Sequence, residues 1–144
     1  MRRMMVRSVG ALAVLGLALA ACGSDDEDDS ASPSGVDVTL TDFKITLSSA
    51  TAAAGKVTFD VTNDGPSVHE FVVFKTDLAP DELPTNADGD VEEGESFEPV
   101  DEIEDIEEGA DPSLEVDLDA GHYVLVCNLP THYGNGMSAE LTVS

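Results

Sequence analysis

The chain has 144 residues with 30 Asp and Glu against 6 Lys and Arg, a formal charge of −24 at neutral pH. So acidic a surface repels nucleic-acid phosphates and anionic headgroups, and 5% aromatics without Trp give no stacking platform for single strands. The length fits one domain with a compact core, while two Cys and three His exclude a disulfide framework and a multi-metal centre.

All three Arg fall at the start (Arg2, Arg3 and Arg7), ahead of an apolar run from Val9 to Ala21. That run is too short to cross a hydrocarbon core, which takes about 20 residues, but suits the h-region of an export signal. It ends in Leu19-Ala20-Ala21-Cys22, which resembles the lipobox of bacterial lipoproteins. The resemblance implies a signal peptide at 1–21, lipidation of Cys22, and a protein tethered outside the cytoplasm, at the cell surface or in the periplasm. Cleavage would leave Cys127 as the one free thiol in an oxidising compartment, a liability unless it is buried, liganded or reactive. Residues 22–35 hold five acids and four Ser with almost nothing apolar, so they read as an acidic flexible tether, with the folded domain at 36–144.

From Val36 the hydrophobic period is two. Val38 and Leu40, then Ile45 and Leu47, then Val57, Phe59 and Val61 alternate with polar residues, and Asn63-Asp64-Gly65-Pro66 signals a turn. Phe71 to Phe74 is apolar on both faces, as a strand covered on both sides would be. Leu114, Val116 and Leu118 alternate again, Tyr123 to Val126 is continuously apolar, and Leu141 with Val143 closes the chain. Seven to eight short strands in about a hundred residues predict an all-β fold, an antiparallel Greek-key β-sandwich.

One stretch breaks the rhythm. Residues 78–111 carry fifteen acids, three Pro and no Lys or Arg, and read as one long acidic insertion. Ile103 and Ile106 are placed to pin its second half to the sandwich, as a short strand or a helical turn. Asn86-Ala87-Asp88-Gly89-Asp90 lacks the acid that an EF-hand needs where Pro84 stands, so it reads as a solvated turn. Lying beside His132 the insertion would offer its acids to a basic partner; lying elsewhere it would serve solubility or salt adaptation.

The chemistry concentrates in Cys127-Asn128-Leu129-Pro130-Thr131-His132-Tyr133-Gly134-Asn135-Gly136-Met137. A thiolate, an imidazole and a thioether five positions apart converge on one ion if this loop between strands curls. His69 enters the other continuously apolar strand, on the face of Phe71 and Val73, so its ring can point into the same end of the sandwich. Soft sulfur donors beside two imidazoles suit copper in both oxidation states, whereas zinc has little use for Met. Two His and one Cys with a weak axial Met is the blue-copper electron-transfer arrangement, and coordination would protect the lone thiol. His122 faces away from Cys127 along its strand, and Tyr123 reads as a packing residue whose hydroxyl finds a partner.

Gly121-His122-Tyr123-Val124-Leu125-Val126-Cys127 resembles the Gly-x-Tyr-x-x-x-Cys strand of the cupredoxins, and Cys127, His132 and Met137 resemble their ligand loop in the sulfocyanin and rusticyanin style. The resemblance implies one type 1 copper ion held by His69, Cys127, His132 and Met137. It also implies that His132 presents its outer edge to solvent, within an apolar collar of Leu129, Pro130 and Tyr133. Glu70 departs from the pattern, standing where many members have Asn, Ser or Thr; its backbone N–H can still donate to the Cys127 sulfur.

These residues predict a protein that is not an enzyme. It would be an exported, lipid-anchored monomer carrying single electrons between extracytoplasmic redox partners such as a basic cytochrome or a membrane oxidase. It would touch the membrane through its anchor only and bind no nucleic acid. The alternative is a copper-binding or copper-delivery module without electron transfer. A thiol enzyme using Cys127 and His132 would leave His69 and Met137 unexplained.

Overall fold

The computed structural model describes residues 34–94 and 97–144. The signal peptide assigned to 1–21, the lipidation site Cys22 and tether residues up to 33 lie outside the described residues. Nine strands follow in order: β1 (Ser34–Thr41), β2 (Lys44–Leu47), β3 (Thr51–Ala52), β4 (Gly55–Asn63), β5 (His69–Lys75), β6 (Asp101–Ile106), β7 (Ser113–Leu118), β8 (Gly121–Val126) and β9 (Ser138–Val143). They form a four-stranded sheet, β2-β1-β4-β7, and a five-stranded sheet, β3-β9-β8-β5-β6.

Period-two alternation gives the four-stranded sheet one apolar face. In β4, Val57, Phe59 and Val61 are buried between more exposed neighbours, and β7 buries Leu114, Val116 and Leu118 in the same way. The inner faces meet in one cluster that includes Leu40, Phe59, Phe71, Leu125, Cys127 and Met137. Phe59 and Phe71 pack across it with ring centroids 5.2 Å apart. The β-sandwich is therefore as its pattern predicts, but the sheets are mixed and not wholly antiparallel: β1 pairs parallel with β4, and β3 with β9. Alternation reports which face a residue takes, not which way its strand runs. Residues 42–54 are long enough to return the chain for parallel pairing. The strand count exceeds seven to eight because β3 has only two residues and β6 arises inside the acidic stretch.

The insertion packs on the second sheet in two parts. β6 pairs antiparallel with β5 through Phe71↔Ile103 and His69↔Ile106, so Ile103 and Ile106 do pin its second half, as a strand. Its first half lies on the outer face of the second sheet, where Leu83, Val91 and Phe97 cover Val72, Phe74, Val124 and Val126. Phe97 stacks on Phe74 at 4.7 Å. Burial of Leu83 and Val91 contributes about 1.5–3 kcal/mol each, which holds down a segment rich in acids. Asn86 Oδ1 accepts from the N–H groups of Asp88 and Asp90, closing the turn read there from the sequence.

Candidate metal centre

β8 lies between β5 and β9 in the second sheet, and its end delivers Cys127 to the mouth of the sandwich. The loop that follows is closed by its own backbone. Cys127 N–H donates to Met137 O at 3.2 Å, Met137 N–H to His132 O at 3.1 Å, and His132 N–H to Leu129 O at 2.9 Å. A single 3-10 turn, Tyr133–Asn135, ends at Gly136, whose φ of 93° would strain any side chain. The loop therefore curls, with Cys127 and Met137 buried at its two feet and a half-buried His132 between them.

The second approach comes from the β4–β5 connection, organised by Asn63. This fully buried amide donates to Ser67 O and Ile106 O, each at 2.8 Å, and accepts from Gly65 N–H at 2.7 Å. With the turn fixed and pinned to the end of β6, His69 enters β5 pointing inward with no exposed surface. Its Nδ1 lies 3.8 Å from Cys127 Sγ, His132 Nδ1 lies 3.2 Å from the same sulfur, and the two rings are 5.1 Å apart. The three donor atoms all fall within 4.8 Å of one another.

These separations admit a metal ion. Planar three-coordination, with bonds of about 2.0–2.1 Å to nitrogen and 2.3 Å to sulfur, separates nitrogen from sulfur by about 3.8 Å. His69 already stands at that distance, and His132, at 3.2 Å, would move outward by about half an ångström. Met137 is fully buried in the cluster that holds Cys127, and its backbone bonds to both Cys127 and His132.

Burial disfavours the charged forms of two of these groups. Burial pushes the Cys127 thiol above its ordinary value, against the opposing N–H groups of Glu70 and Leu129. Burial also lowers His69, helped by the neighbouring His132 and opposed by Asp42. Binding an ion must therefore expel the thiol proton. Glu70 N–H stands 3.4 Å from Sγ, the backbone contact expected from the sequence. Burial, with Glu102, Glu93 and Glu104 nearby, pushes the Glu70 carboxyl up to about 7, while a backbone hydrogen bond from Asn128 acts the other way.

The other residues singled out from the sequence fall away from this centre. His122 stands at the far end of β8, its Nδ1 2.6 Å from Thr76 O and its Nε2 3.6 Å from Glu140. Tyr123 donates to Asp119 O at 2.8 Å, the partner its packing role required. Tyr133 is not part of the collar around His132. It is buried on the outer face, its hydroxyl donating to Pro80 O at 2.8 Å and accepting from Leu83 N–H at 3.1 Å. The run of alternating exposed and apolar residues gave no means of telling which sheet face this loop tyrosine would take.

Four residues at the centre carry no signal of their own in the sequence. The two-residue turn between β1 and β2 places Asp42 Oδ1 3.4 Å from His69 Nε2, and sets the Phe43 ring edge-on to His132 at 5.5 Å. Phe43 is 45% exposed with φ 62°, a left-handed backbone that bulky residues avoid. From the insertion, Asp90 accepts Thr131 N–H at 2.8 Å, and Asn128 bonds both backbone groups of Val91. A Cβ on Gly134 would come within 3.3 Å of the Gly89 carbonyl, so insertion and ligand loop touch backbone to backbone.

Residues 42–144 match the family model for the sulfocyanin (SoxE) domain. No curated protein matches the chain. Among solved structures, dithionite-reduced auracyanin from Roseiflexus castenholzii superposes with a TM-score of 0.59 at 20% identity, covering 77% of this chain and 97% of that one. Auracyanin A from Chloroflexus aurantiacus, described as a "blue" copper protein, gives a TM-score of 0.53 at 17% identity over 78% of this chain and all of the other. A methionine-to-glutamine mutant of rusticyanin gives 0.54 at 17% identity over 78% and 80%. With both imidazoles presenting Nδ1 to one buried thiol, the cofactor this centre fits is one type 1 copper ion.

Proposed function

Because the chain belongs to the sulfocyanin (SoxE) domain family, we propose that it is an exported, lipid-anchored type 1 copper protein. It carries single electrons between extracytoplasmic redox partners, with His69, Cys127, His132 and Met137 as ligands. The observation that carries this reading is the convergence of His69 Nδ1, Cys127 Sγ and His132 Nδ1 at one end of a sandwich. The charged start, short apolar run and Leu19-Ala20-Ala21-Cys22 support export and anchoring.

Copper bound there supplies the one-electron chemistry, alternating between cupric and cuprous states. The chain does the rest. Cys127 gives up its proton to become the soft donor, and the N–H of Glu70 steadies the thiolate from 3.4 Å. His69 and the buried strands below it keep water off the centre, while the half-buried His132 with exposed Pro130 and Phe43 forms the face where a partner approaches. A second copper centre would need more imidazoles, and after His69 and His132 only His122 remains, already engaged with Thr76. Asp81, Glu82, Asp88, Asp90, Glu92 and Glu93 belong to the segment seated against the ligand loop, which supports a basic partner whose association slows with added salt.

The test is to add cupric ion to residues 23–144. An intense blue colour that dithionite bleaches is expected, and Cys127→Ser abolishes it. A colourless protein that prefers zinc one-to-one overturns the assignment. Transfer of the metal to an acceptor apoprotein, without reversible one-electron cycling, favours the delivery reading.

A further inference from the structure

Resting on the copper reading above, we propose that Asp42 is a positioning residue for the centre: its carboxylate accepts the Nε2–H of His69 and so turns the lone pair of Nδ1 toward the ion.

Among the described residues, His69 Nε2 is the one buried side-chain nitrogen or oxygen with no hydrogen-bond partner. A buried N–H without a partner is left desolvated and uncompensated, so it has a strong demand for an acceptor. Oδ1 of Asp42 stands 3.4 Å away, a few tenths of an ångström outside the usual range of about 2.7–3.2 Å. The carboxylate is held in place independently of His69. Its Oδ1 accepts Ser67 N–H at 3.3 Å and its Oδ2 accepts Ser67 Oγ–H at 3.2 Å, which ties the β1–β2 turn to the connection that leads into His69. The turn has only two residues, with Thr41 and Lys44 in register across it, so Asp42 has little freedom to swing away.

The chemical need is specific. A neutral imidazole carries one proton, and a proton on Nδ1 would block the nitrogen that faces Cys127 Sγ at 3.8 Å. An anionic acceptor at Nε2 selects the tautomer that leaves Nδ1 free and makes the ring a better donor, as carboxylates behind metal-bound histidines do. The negative charge also favours the cupric over the cuprous state, so it holds the reduction potential down.

The experiment uses the full chain with Asp42→Ala, Asp42→Asn and Ser67→Ala. In the metal-free protein, long-range 15N–1H spectra of His69 are expected to show the Nε2–H tautomer in wild type, Asp42→Asn and Ser67→Ala, and a loss of that preference in Asp42→Ala. Copper affinity by chelator competition should fall about tenfold or more in Asp42→Ala and stay within a few-fold in Asp42→Asn. The potential should rise in both Asp42 variants, because both remove the charge. A metal-free Asp42→Ala that keeps the Nε2–H tautomer and near wild-type affinity overturns the proposal. So does a Ser67→Ala that reproduces the Asp42→Ala losses, since the effect would then run through the turn. Should Asp42→Ala fail to fold, an unchanged potential in Asp42→Asn overturns it. A wild-type chain that stays colourless with cupric ion sinks the copper reading instead; the tautomer is measured without metal and is judged separately.

Discussion

Asn128→Ala tests whether the insertion braces the ligand loop. Asn128 follows Cys127 directly, and its side chain serves the insertion as an extra strand residue would: Oδ1 accepts Val91 N–H at 2.6 Å, and Nδ2 donates to Val91 O at 3.1 Å and Glu93 Oε1 at 2.9 Å. Val91 is only 4% exposed, so truncation leaves its N–H and C=O without partners and out of water. Each such group costs about 1–3 kcal/mol. The exposed Glu93 contact adds little, and partial rehydration of the carbonyl brings the expected loss to about 2–4 kcal/mol. For a domain of this size 1 kcal/mol is worth about 4 °C, so Tm of the metal-free chain should fall by about 8–16 °C. Amide exchange should accelerate in residues 83–94. The blue colour should survive, because Cys127 keeps its bonds to Met137 O and from Glu70 N–H. A melting point within about 2 °C of wild type, with exchange at 83–94 unchanged, refutes the brace.

Met137→Leu should cost less than about 1.5 kcal/mol, keep copper and raise the potential in voltammetry, since the two side chains are close in volume and an axial thioether is a weak donor; complete loss of copper would show that Met137 is more than an axial ligand. Folding raises the Glu70 value to about 7 from an ordinary 4.5, so the folded state disfavours its ionised form and wild type loses stability as pH climbs between those values. Urea denaturation of the metal-free chain should therefore show Glu70→Gln gaining on wild type across that window and holding the advantage above it, and a gap that is flat with pH contradicts the assignment. Phe43→Gly relieves a left-handed φ of 62° worth about 1 kcal/mol, offsetting the lost ring contact, while uncovering the edge of His132; a chelator should remove copper faster, and unchanged release rates would show that the ring does not guard the centre.

The sandwich was legible because alternation is a direct record of burial: Val57, Phe59, Val61 and Leu114, Val116, Leu118 all went where their period sent them. The continuously apolar Phe71 to Phe74 likewise announced a strand covered on both faces, though not that the cover would be the acidic insertion. The cluster of His69, Cys127 and His132 was legible because the last two share one short loop, and because few other residues could satisfy a lone thiol. Strand direction was not legible, since parallel and antiparallel partners bury the same alternate residues. Asp42, Phe43, Asp90 and Asn128 were missed for a related reason. Each acts through a partner tens of residues away, and a contact across 27 or 41 positions leaves no local periodicity to detect.

A ligand loop with only one short 3-10 turn cannot hold donor geometry by itself, and the fold answers by gripping it from two sides. On one side the Asp42-Phe43 turn reaches each histidine with a different side chain. On the other, Asp90 fixes the backbone of Thr131, itself left-handed at φ 71°, while Asn128 and Tyr133 tie the two flanks of the loop to Val91 and Leu83. Bracing needs only a few apolar anchors and well-placed polar groups, so it does not account for fifteen acids in the insertion. With Leu83, Val91 and Phe97 spent on the outer face of the sheet, Asp88, Glu92 and Glu93 stand exposed along the segment that touches the ligand loop. Part of the bracing at the His132 face and much of its charge thus come from one segment, and the bracing can be altered at Asn128 without removing a single acid.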